Sequence, residues 1–382
     1  MNSRKKVIFI VPNWEKPTEL WLNRMILNIE DVLAGIGCPF PEATLWGNKI
    51  PAFSISLRRN IFTRVLKKAG LESVLRKLNE FYLLRKLNST EIQAVSIHYL
   101  TLAATNINLV MKIRKPVFIH CHGYDVTWEQ MDSVNPGRKV HSDDYIDKVR
   151  KLSVSSFFIA NSRNTIMNLR TAGIPDERIF LCNYGIPVSG DIRENSSGEL
   201  SILYLGRLVD FKGPELVMKA FDLACKKGLK ATLNLAGDGP LRVTCELLKR
   251  ELEFGYKINL PGEMSWEDGQ ALFSEADIFT AHNRKGPLTN QEEAFGVSVV
   301  EAMAAGIPVI TGRNGGCTET VVHNETGILV EPGDIESHAE AFILLANNSE
   351  LRHSFGENGR DRVKREFSTD RERQRLIEIY GL

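Results

Sequence analysis

At 382 residues, with 25% charged and 43% apolar side chains, the chain has the balance of a globular protein and exceeds one ordinary core, so two domains are expected. No run reaches the roughly 20 apolar residues of a membrane-spanning helix, and Val7 to Val11 is too short for a secretory segment before Pro12 ends it. Six cysteines (Cys38, Cys121, Cys182, Cys225, Cys245 and Cys317), none in a Cys-x-x-Cys pair, fit a reduced cytoplasmic protein better than a disulfide framework or a zinc site. The net charge of +1 hides an asymmetry: residues 1–190 hold 26 basic against 16 acidic side chains, the remainder 22 against 31. Two surfaces with different partners are expected, and no nucleic acid among them.

Strand and helix patterns alternate along the chain, as in α/β units on parallel sheets. Val7 to Val11 reads as a strand covered on both faces. A loop carrying Pro17, Thr18 and Glu19 then leads into a helix expected around Leu20 to Ala34. Residues 58–86 are basic, and from Arg58 to Lys68 they have a helical period with Phe62, Val65, Leu66 and Ala69 on one side. That segment is expected to dock on an anionic membrane surface, with a solvated helix face packed on the sheet as the alternative. Further strands are expected at Ala94–His98, Val117–His120, Phe157–Ala160 and Ile179–Cys182. Ser189 to Glu199 is polar and without apolar period, and reads as the linker. A second series follows at Leu200–Leu205, Ala231–Ala236, Ile258–Leu260, Ile278–Ala281, Val309–Thr311 and Gly327–Val330. Helices are expected at Gly213–Lys227, Leu241–Phe254 and, amphipathic and Arg-rich, Asp370–Tyr380. The expected architecture is two Rossmann-like domains facing a cleft, with ligands at the C-terminal ends of the strands.

Several strand ends carry candidate chemistry. After Val117–Ile119 come His120 and His122, which alternate and so share one face. They could chelate a metal, but no third ligand has a recognisable spacing, and a core or turn role for each is the alternative. After Ser201–Leu205 comes Gly206-Arg207-Leu208-Val209-Asp210-Phe211-Lys212-Gly213. Gly206 gives backbone access, and Arg207 and Lys212 aim two cations at the cleft, suited to the negative charge of a departing diphosphate without a metal. Gly237-Asp238-Gly239-Pro240 follows a strand and is at least a turn. Residues 282–292 form a long polar loop, a candidate lid. Then Glu293 precedes Phe295, Gly296 and Val297, with Glu301 a turn and a half into an apolar helix that Gly306 and Pro308 end. Gly296, lacking a side chain, opens the free N–H groups of that helix to an anion such as a phosphate. Two acids at such an end suit a polyol carried on a phosphate.

The Glu-x7-Glu motif of Glu293 and Glu301, continued by Glu-Ala-Met-Ala-Ala-Gly-x-Pro-Val-Ile, resembles the family-4 retaining glycosyltransferases of GT-B fold. So do Gly-Arg-x-x-x-x-Lys-Gly at 206–213 and His-Gly-x-Asp at 122–125, the latter as in exopolysaccharide and O-antigen members. The loop at Pro17–Leu20 departs from the Gly-Gly form many members carry. The resemblance implies an N-terminal acceptor domain (1–188), a C-terminal nucleotide-sugar domain (199–365) and a last helix (366–382) crossing back to the first. It implies that Arg207 and Lys212 hold the diphosphate and Glu301 the ribose. Glu293 and the backbone after Phe295 would bind the sugar, which His122 also contacts. Gly237 and Gly239 would close on the phosphates, and Pro261 and Gly262 would read the base through main-chain groups. The expected reaction is transfer of a sugar from a nucleotide diphosphate-sugar to a saccharide or lipid-linked saccharide, with no permanently bound cofactor and no catalytic metal. An epimerase or phosphorylase on the same scaffold, or a non-catalytic nucleotide-sugar-binding protein, are the alternatives.

Overall fold

The computed structural model describes residues 6–12, 20–39, 50–55, 72–135, 137–188 and 199–382. The loop at Pro17, Thr18 and Glu19, residues 58–71 of the basic segment and residues 189–198 of the expected linker lie outside them. The first sheet has strands β1 (Lys6–Ile10), β2 (Leu33–Cys38), β3 (Ala52–Ser54), β4 (Ile92–His98), β5 (Val117–Cys121), β6 (Ser156–Ala160) and β7 (Ile179–Leu181). Their order is β3-β2-β1-β4-β5-β6-β7 and every pairing is parallel. The second has β8 (Leu200–Leu205), β9 (Ala231–Ala236), β10 (Ile258–Gly262), β11 (Ile278–Thr280), β12 (Val309–Gly312) and β13 (Gly327–Val330), in the order β10-β9-β8-β11-β12-β13, again parallel. Both sheets are doubly wound, and each reverses its strand order beside its first strand. The crevice at that reversal is where an α/β sheet takes ligands.

The helices that matter below are α1 (Leu20–Asn28), α2 (Glu72–Leu87), α3 (Arg163–Thr171), α4 (Pro214–Lys226), α5 (Val297–Ala304), α6 (Ile335–Asn347), α7 (Ser349–Glu366) and α8 (Thr369–Tyr380). The helix expected over Leu20 to Ala34 stops at Asn28, and Leu33–Cys38 is strand β2. The apolar residues Leu33 and Ala34 belong to a short buried run, which periodicity alone does not separate from a final helical turn. A 3-10 turn at Glu30–Val32 makes the switch.

Helix α5 is built as a sequence of its kind requires. Gly296 precedes it in the left-handed region (φ 82°) with no side-chain cap. Gly306 (φ 77°) closes it, as Gly306 N donates to Met303 O at 3.0 Å and Ile307 N to Ala302 O at 3.0 Å. This is the paired terminal bonding that only a residue tolerant of positive φ completes cheaply. Strands β5 and β12 are buried along their whole length, as parallel strands covered on both faces must be. Helix α8 lies against the first sheet. Tyr380 OH bridges Ser96 Oγ (2.9 Å) and His120 Nε2 (2.8 Å), and Arg373 pairs with Asp31 (2.8 Å) while donating to Asn28 O.

Candidate active site

Between the C-terminal ends of the two sheets lies a cleft of about 540 Å³. Its second-domain wall starts where β8 ends. The backbone from Gly206 to Leu208 runs against the glycine loop after β9: Leu208 N donates to Asp238 O (2.9 Å). Gly237 and Gly239 hold φ of 137° and 155°, and a Cβ on Gly237 would sit 1.9 Å from Gly206 O. These glycines are therefore required by packing, whatever else they do. Gly237 N also donates to Gly262 O (2.7 Å). Pro261 and Gly262 end β10 behind the cleft rather than lining it, and Glu263, Met264 and Ser265 form the wall there.

Lys212 reaches across to Glu293, Nζ to Oε2 2.6 Å, with the two side chains 16% and 13% exposed. Asn283 Nδ2 donates to the same carboxylate oxygen at 3.3 Å. Burial raises the Glu293 pKa, but Lys212, Arg207 and the Gly296 N–H together outweigh it, so the carboxyl lies below its ordinary value. Glu301 behaves oppositely. Burial dominates, and Arg24 and Lys212 only partly offset it, leaving the carboxyl raised. Its partner is Arg24 of α1 in the first domain, Nη1 to Oε1 3.1 Å, a contact that nothing in the sequence announces. Arg207, Lys212, Glu293, Phe295, Gly296, Val297 and Glu301 thus converge around the start of α5.

The loop at 282–292 is a strut. Asp210, buried at 4% exposure, accepts from Leu288 N (2.8 Å), Thr289 N (2.9 Å) and Thr289 Oγ1 (2.8 Å). The far side of the loop meets the first domain, where Met131 N donates to Thr289 O (3.0 Å) and Asn290 Nδ2 to Glu129 O (3.0 Å). At its start, the His282 and His338 rings meet through their Nδ1 atoms at 2.8 Å.

The first-domain wall is aromatic. His122 follows β5, and its backbone N–H and that of Gly123 donate to Asp125 Oδ1 at 2.8 and 2.9 Å, while Leu100 N donates to Oδ2 at 2.9 Å. Burial still prevails over these bonds and lifts Asp125 to about 6. The His122 ring sits beside Trp21 (4.5 Å) and Tyr99 (4.5 Å), and its Nδ1 meets Tyr184 OH at 2.6 Å. Tyr99 holds φ +75°, a strain of the kind that persists where a site demands a side-chain direction.

His98 supplies the third histidine that spacing did not reveal; its nitrogens and those of His120 and His122 include atoms within 4.8 Å of one another. The rings, however, stack within 8–15°, and His120 Nε2 already meets Tyr380. Imidazole lone pairs lie in the ring plane, so near-parallel stacked rings do not aim them at one point. Burial holds all three pKa values low. Sequence reasoning missed Arg24, Trp21, Tyr99, Asn161 and Tyr184. For Tyr99 and Asn161 a usable indication existed, since each directly follows a strand end; for Arg24, in mid-helix, none did.

Residues 191–362 match the family of glycosyl transferases group 1. A GDP-mannose-dependent alpha-(1-6)-phosphatidylinositol monomannoside mannosyltransferase of Mycobacterium tuberculosis is 29% identical over 170 residues, 44% of each chain. The capsular polysaccharide biosynthesis glycosyltransferase CapM of Staphylococcus aureus is 29% identical over 181 residues, 47% of this chain and 45% of CapM. The chain thus aligns with less than half the length of these curated relatives. In fold it is similar to Anabaena HepE in complex with UDP, with a TM-score of 0.77 at 17% identity over 98% of this chain and 99% of that one. Residues 191–362 are thus similar to the glycosyl transferases group 1, and the chain as a whole has the two-sheet GT-B fold seen in HepE.

Proposed function

We propose that the protein is a retaining glycosyltransferase. It would move a sugar from a nucleotide diphosphate-sugar to a hydroxyl of a saccharide or lipid-linked saccharide in cell-surface polysaccharide biosynthesis. The observation that carries the reading is the convergence of Arg207, Lys212, Glu293 and Glu301 on the uncapped start of α5, opposite His122. Arg207 and Lys212 stabilise the diphosphate as the glycosidic bond breaks, in a site where fixed cations act more strongly than in water. Glu301 holds the ribose hydroxyls once Arg24 yields its place. Glu293 and the N–H groups after Phe295 hold the sugar, and His122 meets it from the other wall. The acceptor hydroxyl attacks from the face the leaving group vacates, and its proton passes to a departing phosphate oxygen, so no carboxylate is needed as a base and configuration is kept. Both curated relatives are glycosyltransferases by name, which favours transfer over an epimerase, a phosphorylase or a binding protein. Thermal-shift measurements with UDP-, GDP- and ADP-sugars test it, because a ligand of the folded state raises its melting temperature. No shift with any of them, and no product with an intact saccharide acceptor, would sink the proposal.

The first domain is the acceptor domain (1–188) in this reading and docks on the cytoplasmic leaflet of a membrane. On α2, Val74, Leu78, Phe81 and Tyr82 are 48–68% exposed at helical spacing, beside Lys77, Arg85 and Lys86. An apolar stripe edged by cations fits an anionic bilayer. Phe81→Ser with Tyr82→Ser should reduce co-sedimentation with phosphatidylglycerol vesicles; wild-type protein that fails to bind them at low salt refutes the docking.

A further inference from the structure

Tyr184 belongs to the aromatic wall but has no place in the reaction as described, and the hydrogen bonds around it have a direction. Ser162, the residue before α3, accepts from Thr165 N with its Oγ (3.1 Å), so its own proton goes to Thr165 Oγ1 (3.1 Å). Thr165 Oγ1 in turn donates to Asn161 Oδ1 (2.7 Å). The Asn161 amide nitrogen then donates to Tyr184 OH (3.0 Å), and Tyr184 OH meets His122 Nδ1 at 2.6 Å. A phenol has one proton. Having accepted from Asn161, Tyr184 gives that proton to His122 Nδ1, and the ring proton of the imidazole must then sit on Nε2.

The opposite direction fails on the same inventory. Either Tyr184 accepts from both Asn161 and His122, which strands its own proton at 5% exposure with no other partner among the described residues, or the Asn161 amide is turned over, with Thr165 donating to Ser162 and the Ser162 proton left without an acceptor among them. Ser162 is 0% exposed and Thr165 1% exposed, so water does not supply one. The far end agrees with the forward direction: His122 Nε2 is buried without a protein partner, in a ring that lines the cleft. Burial, with His120 as a lesser cause, keeps the ring neutral.

We infer that Tyr184, oriented by Asn161 and Thr165, is a positioning residue that fixes His122 as its neutral Nε2–H tautomer, so that His122 offers the substrate an N–H donor rather than an acceptor. The inference rests on the proposed donor-sugar contact of His122, which the imidazole then makes by donating to a sugar oxygen. Tyr184 is itself held by Trp21 (4.7 Å) and by the edge-on ring of Phe295 from the second domain (5.4 Å, 84°), contacts that Phe at 184 would keep.

The test is selective 15N labelling of histidine in the full chain, with the His122 signals assigned by their loss in His122→Asn. Wild-type protein without substrate should show Nδ1 unprotonated and Nε2 protonated, and Tyr184→Phe should shift the signals toward a mixture of tautomers. With the nucleotide-sugar that proves active, Tyr184→Phe should lower kcat roughly ten- to a hundred-fold, as loss of an orienting partner does, with KM for the donor changed less than about two-fold. A wild-type ring protonated on Nδ1, a spectrum indifferent to Tyr184→Phe, or a KM effect without a kcat effect would each overturn the inference. The tautomer is read without turnover, so absence of transferase activity with the correct tautomer present would count against the proposed function and leave the hydrogen-bond direction standing.

Discussion

Replacing Lys212 by Met separates its electrostatic work from its packing. Nζ lies 2.6 Å from Glu293 Oε2, and both side chains are largely buried, so the change leaves a carboxylate with only Asn283, the Gly296 N–H and the field of Arg207. Breaking a buried pair by removing one partner costs about 3–5 kcal/mol. The remaining donors and the residual exposure place this case near about 2–3 kcal/mol. For a domain of this size that is a fall in Tm of about 5–10 °C. Glu293→Gln in the same background removes the stranded charge and should recover most of the loss, while transfer stays abolished because the diphosphate has lost its cation. The pH dependence has a definite sign. In the wild type the Glu293 pKa is depressed, so its contribution is present above the ordinary carboxylate value of 4.5 and is lost as pH falls through the lower folded value. Without Lys212 burial prevails and the pKa rises, so the deficit of the variant should shrink between pH 7 and pH 5. Thermal unfolding of the two single variants and the double variant forms the required cycle. A Lys212→Met protein as stable as wild type, or a double variant no more stable than the single, would refute the reasoning.

Gly237→Ala forces a Cβ to 1.9 Å from Gly206 O at a φ of 137°, so the two loops must part. It should cost about 1–3 kcal/mol in unfolding experiments and weaken nucleotide binding as well. The His282–His338 relay predicts acid lability. Gly333 N donates to His282 Nε2 (2.8 Å), so His282 Nδ1 carries the proton to His338 Nδ1 (2.8 Å), and His338 Nε2 donates to Thr280 Oγ1 (2.8 Å). Burial, and to a lesser degree Arg284, lowers His282 from 6.5 to about 4. Its contribution is therefore complete above pH 6.5 and lost as pH falls toward 4, about 3 kcal/mol across that window. A flat stability profile there, measured by denaturant titration, would contradict it. Tyr380→Phe strips a partner from both Ser96 and His120 and should cost about 1–3 kcal/mol in the same measurement.

Most of the second domain could be read from its residues in order. The Glu293–Glu301 segment, the Arg207/Lys212 loop and the glycine turn at 237–239 are contiguous motifs, and each records a local demand: an uncapped helix start, two cations on one loop, a positive φ. The strands were readable for the same reason, since parallel strands buried on both faces leave unbroken apolar runs. Where a run was short the reading failed, as at Leu33 and Ala34, which passed for the end of α1 but begin β2. Contacts between groups far apart in the chain emerge only once the two sheets are folded and facing. Arg24 meets Glu301 across 277 positions, His98 joins His120 and His122 through the pairing of β4 with β5, and the loop at 282–292 proves a strut because Asp210 and residues 129–131 grip it. Tyr184 reaches His122 in the same way, across 62 positions. Backbone demands are local and leave marks in adjacent residues, whereas partnership across a cleft depends on how two sheets come to face each other, and no stretch of sequence encodes that alone.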